Sequence, residues 1–162
     1  MTVQDINDLV MLAARFVEAP HWSRRDYEKI LLPDPPAPPE GLTRRAFITL
    51  CDSRLAGFAV ASWLAREAAA EVEGLVVDEK YRRQGMASAL LRACMEWAGN
   101  AGASSMRLEV RASNTAALAL YQRHGFSAVG RRYAYYSAPV EDAVLLQAPL
   151  DSAKLSEGRH PL

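Results

Sequence analysis

The sequence predicts an α/β (α+β) protein built on one mixed, mostly antiparallel sheet with helices on its faces. Three observations carry this. "AFITL" and "LAGFAVASWL" are apolar runs joined by a short polar turn, which reads as a hairpin. A strand–helix–strand stretch follows, with two-residue and helical periodicities alternating between residues 71 and 126. Two helical patterns precede the first strand, and no internal repeat interrupts the series.

Residues 5–18 place Ile6, Leu9, Val10, Ala13, Phe16 and Val17 at helical spacing. Ser23 then opens a second helix, with Asp26 three residues on in a capping arrangement. "PDPPAPPEG" at 33–41 predicts an extended loop, because proline fixes φ and removes backbone donors. The hairpin covers 46–50 and 55–64. "EVEGLVV" at 71–77 predicts a strand with Glu71, Glu73 and Leu75 on one face and Val72, Gly74 and Val76 on the other. Gly74 inside it points to a bulge or a close backbone approach. A helix runs from the segment "YRRQGMASALL" to about Gly99, and "SMRLEV" at 105–110 is a strand. Asn114 caps a further helix that Gly125 closes. Residues 127–136 and 142–150 are the last strands. The polar tail from Asp151 lacks periodicity, so the folded domain is expected over 1–150 and a frayed tail over 151–162.

The chain has 19 Lys plus Arg and 19 Asp plus Glu, a balance that argues against a nucleic-acid binder. Cys51 and Cys94 form no CxxC pair, so neither a zinc site nor a disulfide framework is indicated. The N-terminus lacks the pattern of a signal peptide, and no apolar run approaches the ~20 residues of a membrane span. The expectation is a cytoplasmic protein without metal or membrane contact, monomeric or homodimeric.

"YRRQGMASALL" carries the first chemical signal. A helix start leaves backbone N–H groups without partners, and the macrodipole adds positive character there. Gly85 removes a Cβ, Ala87 and Ser88 keep the surface low, and Arg82 and Arg83 add charge. This suits a pyrophosphate. A helix with a charged first turn is an equal reading of this segment alone. No GxxxxGK[ST] and no GxGxxG occur, which excludes the two commonest phosphate motifs.

"NTAALALYQRHGF" supplies the second signal. The two stretches together resemble the GNAT superfamily of acyl-CoA-dependent N-acyltransferases. Arg82, Gly85 and Ala87 match its [RQ]-x-x-G-x-[GA] loop. Asn114, Ala117, Leu120, Tyr121, Gly125 and Phe126 match its N-x-x-A-x-x-L-Y-x-x-x-G-F motif. The resemblance spans roughly residues 45–150 and implies a single domain of that fold with acetyl-CoA as co-substrate. The family's long first strand is missing here or reduced to "TVQ". "LEVRASN", "LYQRHGF", "GRRYAYY" and "EDAVLL" look like the bacterial branch that acetylates the N-terminal alanine of a ribosomal protein, and "APHWS" at 19–23 resembles its "PWS" element.

The resemblance implies that Leu75, Val76 and Val77 pair with pantetheine and polarise the acyl carbonyl. It places Arg82, Arg83, Gln84, Gly85, Met86, Ala87 and Ser88 at the pyrophosphate, with Asn114 and Tyr121 near pantetheine and the thioester. Glu109 is then the general base and Tyr121 the general acid. Glu109 also stands out on its own, because a carboxylate between apolar neighbours on a strand is costly unless it lines a cleft. A salt bridge to Arg107 or Arg111 is its bland alternative. Glu71 and Glu73 are rival bases or substrate contacts, and Tyr135 and Tyr136 match the branch's tyrosine pair at the acceptor side. The expected partner is a primary amine, possibly a protein N-terminus. A small-amine acetyltransferase and a non-catalytic acyl-CoA-binding module remain open alternatives.

Overall fold

The computed structural model describes residues 3–16, 22–31 and 41–150. The order along the chain is α1 (Val3–Ala13), α2 (Arg24–Leu31), β1 (Leu42–Cys51), β2 (Arg54–Leu64), β3 (Ala69–Val77), a 3-10 turn (Glu79–Tyr81), α3 (Met86–Ala101), β4 (Ser105–Arg111), α4 (Thr115–Arg123), β5 (Ser127–Ser137) and β6 (Val140–Pro149). The proline-rich loop, much of "APHWS" and the C-terminal tail lie outside the described residues.

Local chemistry sets most boundaries. Ser23 and Asp26 bond reciprocally, with the Ser23 hydroxyl 2.6 Å from the Asp26 carboxylate and the Asp26 amide 3.3 Å from the hydroxyl. This capping arrangement starts α2. The Asn114 side chain accepts from the Ala117 amide at 3.1 Å and starts α4. Gly102 at φ 113° and Gly125 at φ 83° follow the ends of α3 and α4 in the left-handed region. The first helix ends at Ala13, short of the expected 18. β1 begins four residues earlier than its apolar run.

Six strands form one sheet in the order β1-β2-β3-β4-β6-β5. All neighbouring pairs are antiparallel except β3 and β4. The sheet separates two cores. On one side Ile6, Leu9, Leu12 and Tyr27 of α1 and α2 pack on Phe58, Val60 and Val76. On the other, Leu90, Leu91, Cys94 and Ala98 of α3 pack on Ala59, Ala61, Val72 and Val77, with Leu108, Val110 and Leu146.

β3 departs from simple alternation. Val60 pairs with Gly74 and Ala61 with Val72, so Glu73 is an extra residue. This bulge flips the strand. Val72 and Leu75 therefore face the α3 side, while Val76 faces α1 and α2. Glu71, paired with Ser62 beyond the bulge, lies on the α1 side. The expectation that Glu71 and Leu75 share a face, and Val72 and Val76 the other, is thereby corrected.

Candidate active site

The parallel pair β3–β4 is brief. Only Ala69, Ala70 and Glu71 pair with Ser105, Met106 and Arg107. Beyond that seam the strands diverge and leave a cleft of about 760 Å³. Residues 72–77 of β3 form one wall and 108–111 of β4 the other. β3 bonds to β2 along its far edge, so its near edge turns backbone groups toward the cleft, among them the Val77 carbonyl that Arg82 holds. Leu75, Val76 and Val77 sit on that edge.

The loop after β3 closes one end. Arg83 has φ 64° and Gly85 has φ 80°, which folds the chain sharply into α3. Gly85 is the N-cap of α3 and gives no side-chain cap. The first-turn amides of Met86, Ala87 and Ser88 thus lack intrahelical acceptors, and these residues border the cleft. A Cβ on Gly85 would meet no protein atom within 4 Å. Open space, orphan donors and a helix dipole together fit a bound pyrophosphate. Arg82 and Arg83 line the same region, but Gln84 does not. The Arg82 Nε donates to the Val77 carbonyl at 3.2 Å, tying the loop to the strand end. The Ser88 hydroxyl lies 2.7 Å from His124 Nε2 at the end of α4. Burial, with Arg92 and Arg123 nearby, pushes the His124 pKa down.

Tyr121 reaches the cleft from α4 and Glu109 from β4. Tyr121 is buried against Phe126, ring centroids 5.7 Å apart. Desolvation pushes its hydroxyl up to about 12. Met106, Leu108 and Val110 face α3, so Glu109 projects to the other side of the sheet. Its side chain is 21% exposed and pairs with Arg132 at 3.0 Å, not with Arg107 or Arg111. Arg107 instead pairs with Glu67 at 2.8 Å, and buried Arg111 with Glu141 at 3.2 Å.

The other acidic candidates divide. Glu73 borders the cleft, but Arg44 Nε donates to both its oxygens at 2.9 Å. Glu71 lies outside the cleft lining. Its pKa is raised by desolvation, then by the charge of Glu73, with a further contribution from Glu109. Tyr136 lines the cleft beneath the Arg111 guanidinium, 4.1 Å from its ring centroid. Tyr135 stands outside the lining, yet the nearby Glu109 carboxylate is the leading cause of its raised pKa. Asn114 borders the cleft while capping α4.

Some contributors are not legible in the sequence. Phe16 borders the cleft with the Arg82 guanidinium 5.2 Å from its ring. At sequence level it is one more apolar residue on a helix. Asp78, held below its ordinary pKa chiefly by Arg15 at 2.6 Å, anchors the strand end to the turn that follows α1. Arg132 carries no signal beyond being one of a basic pair.

The sequence pattern of the family described as acetyltransferase (GNAT) matches residues 6–126. The chain belongs to the GNAT acetyltransferase family. This GNAT chain is 36% identical over 101 residues to the [ribosomal protein bS18]-alanine N-acetyltransferase of Escherichia coli K12, covering 61% of this chain and 67% of that protein. It is 27% identical to a putative [ribosomal protein bS18]-alanine N-acetyltransferase of Bacillus subtilis 168, over 90% of each chain. The crystal structure of the Escherichia coli ribosomal-protein-S18-alanine N-acetyltransferase superposes with a TM-score of 0.73 at 27% identity, covering 93% of this chain and 91% of that one. The fold expected from the sequence is therefore the fold found. The GNAT protein described here is an acetyltransferase, and among its described residues no helix is long and apolar enough to cross a membrane.

Proposed function

We propose that this acetyltransferase transfers acetyl from acetyl-CoA to the α-amine of a protein N-terminus, with an alanine-first ribosomal protein as the leading acceptor. The observation that carries the reading is the cleft between the diverging strands β3 and β4. It has an anion-binding helix start at one end, and both Glu109 and Tyr121 border it. Similarity in sequence and in structure to the Escherichia coli ribosomal-protein-alanine N-acetyltransferase supports the acceptor.

Acetyl-CoA would supply an acetyl thioester, held by residues 82, 83 and 85–88 at its pyrophosphate and by the cleft-facing edge of Leu75–Val77 along pantetheine. The chain's own residues manage the protons. An α-amine with pKa near 8 is neutral in about a tenth of molecules at pH 7, against roughly one in a few thousand for lysine. An N-terminus therefore needs only modest help from a base. Glu109 takes the amine proton, directly or through water, as the C–N bond forms and the C–S bond breaks. Tyr121, protonated at neutral pH, gives its proton to the departing thiolate. Asn114 holds α4 in register for Tyr121. Glu71 and Glu73, with Tyr135 and Tyr136, form the acceptor side. Residues 1–150 constitute the acyltransferase domain, 151–162 a tail outside it, and the enzyme works in the cytoplasm.

Acetyl-transfer assays with Ala-starting peptides, polyamines and amino sugars in parallel test this. Preferred transfer to the peptides is expected. Preference for a polyamine or an amino sugar would replace the acceptor, and no transfer together with acetyl-CoA binding would make the chain a binding module.

A further inference from the structure

Glu109 already holds a cation, supplied by the protein itself. Arg132 Nη2 lies 3.0 Å from Glu109 Oε1. The two come from different strands, with β6 between them in the sheet. The Arg132 side chain is 54% exposed, so its head can leave without unpacking a core. Its backbone is fixed by contrast. Arg132 pairs with Ala143 and Tyr136 with Glu141, which leaves three residues, 133–135, opposite the single residue Asp142. Asp142 pins this bulge by accepting from the Ala134 amide at 2.9 Å, with Ala134 at φ 48°. The Asp142 carboxylate also lies 3.5 Å from Arg131. The Arg132 guanidinium leans on the Tyr135 ring, 5.3 Å from its centroid. The same Glu109 is the leading cause of the raised Tyr135 pKa.

A substrate amine arrives mostly as an ammonium ion. The carboxylate that receives it is the one Arg132 occupies. We propose that Arg132 is a displaceable counter-ion, an internal stand-in for the substrate's ammonium that every acceptor must evict from Glu109. The inference rests on Glu109 being the residue that receives the amine. The exchange is one cation for another and involves no covalent step. It makes Arg132 a specificity-determining residue. Acceptors without a positive charge gain nothing at Glu109 that offsets the lost pair. After transfer the product amide is uncharged, so once Glu109 has passed the accepted proton to water Arg132 returns to the carboxylate and favours release. Glu71 on β3 and Tyr135 and Tyr136 on β5 are the other ionisable groups coupled to Glu109, and Arg132 is the cation in direct contact with it.

Arg132→Gln tests the idea. An exposed ion pair is worth little, so the blocked state outweighs the open one by a small factor, and its removal should lower the peptide KM about two- to sixfold. At saturating peptide Arg132 is displaced in both proteins, so kcat should hold. Arg132→Lys should return KM toward the wild-type value. On CoA-loaded enzyme, an Ala-starting hexapeptide should bind Arg132→Gln more tightly by the same factor, whereas its Nα-acetylated form should bind both proteins equally. An unchanged or raised KM overturns the proposal, a raised one meaning that Arg132 grips substrate. Equal tightening of the acetylated peptide also overturns it. Glu109→Gln separates the underlying reading: full turnover in that variant removes Glu109 as base, whatever Arg132→Gln does. With Glu109 as receptor, Arg132→Gln should tighten the free-amine peptide no further in a Glu109→Gln background, and persistent tightening there overturns the proposal.

Discussion

Replacing Gly85 by alanine separates the loop's role in the fold from its role at the ligand. Gly85 has φ 80°, where an L-residue is strained, and a Cβ there would touch no protein atom within 4 Å. The fold therefore loses only the conformational term, about 1–2 kcal/mol. For a chain of this size that lowers Tm by about 2–8 °C. The methyl group stands instead where a phosphate must approach the first-turn amides of α3. The assay is a thermal-shift titration with acetyl-CoA. At a hundredfold excess over Kd the wild type should gain about 2.7 kcal/mol. A tenfold loss of affinity cuts that gain to about 1.4 kcal/mol at the same concentration, so the ligand-induced shift should roughly halve. A full wild-type shift in Gly85→Ala, with the apo Tm lowered, would refute the close approach of phosphate to this loop.

The remaining predictions follow from the same geometry. Gly57→Ala should damage the fold first: its Cβ would lie 2.6 Å from the Val76 carbonyl oxygen and 3.2 Å from the Val77 Cα, both backbone atoms. Overpacking of about 1–3 kcal/mol should appear as a Tm fall of about 2–12 °C, and a wild-type melt would contradict the contact. Tyr121→Phe should keep acetyl-CoA binding and lower kcat by about 10²–10⁴-fold. Because the Tyr121 hydroxyl is pushed up to about 12, the wild-type rate should show no alkaline limb from its ionisation below pH 10, and a limb there that vanishes in Tyr121→Phe would count against its burial. Glu71 has a folded pKa raised above its unfolded value. Its contribution to stability is fully present below the unfolded pKa and is lost as pH rises through the folded one. Glu71→Gln should therefore raise Tm at pH 7 and lose that advantage at pH 4; equal melts at pH 7 would count against the raised pKa that desolvation, and then Glu73, gives this carboxyl.

What the sequence made legible is local. Ser23 with Asp26, Asn114 before α4 and Gly125 after it each act within one turn of chain, so spacing alone reveals them. Gly85 belongs with these, since its backbone angle and the helix start that follows are both local. The bulge in β3 was half legible: Gly74 marked the place, but the extra residue is Glu73, and that depends on the register against β2. The environment of Glu109 was not legible. Its nearest cation by sequence is Arg107 or Arg111, two residues away on the same strand. Its actual partner, Arg132, arrives through the placement of β6 between β4 and β5 and a bulge pinned by Asp142. Phe16 was invisible for a related reason, because only the folded path of α1 sets it beside Arg82.

The short seam between β3 and β4 gives the co-substrate a second job. Among the described residues, no backbone pairing past residue 71 joins the β1–β3 half of the sheet to the β4–β6 half, and the α1–α2 core packs on the first half alone. The α3-side core is what binds the halves together. A ligand lying in the slot from residues 75–77 to Tyr121 would act as a cross-brace between two half-sheets. Amide exchange should accordingly slow on both walls at once when acetyl-CoA binds, making the protein most rigid when it is loaded to react.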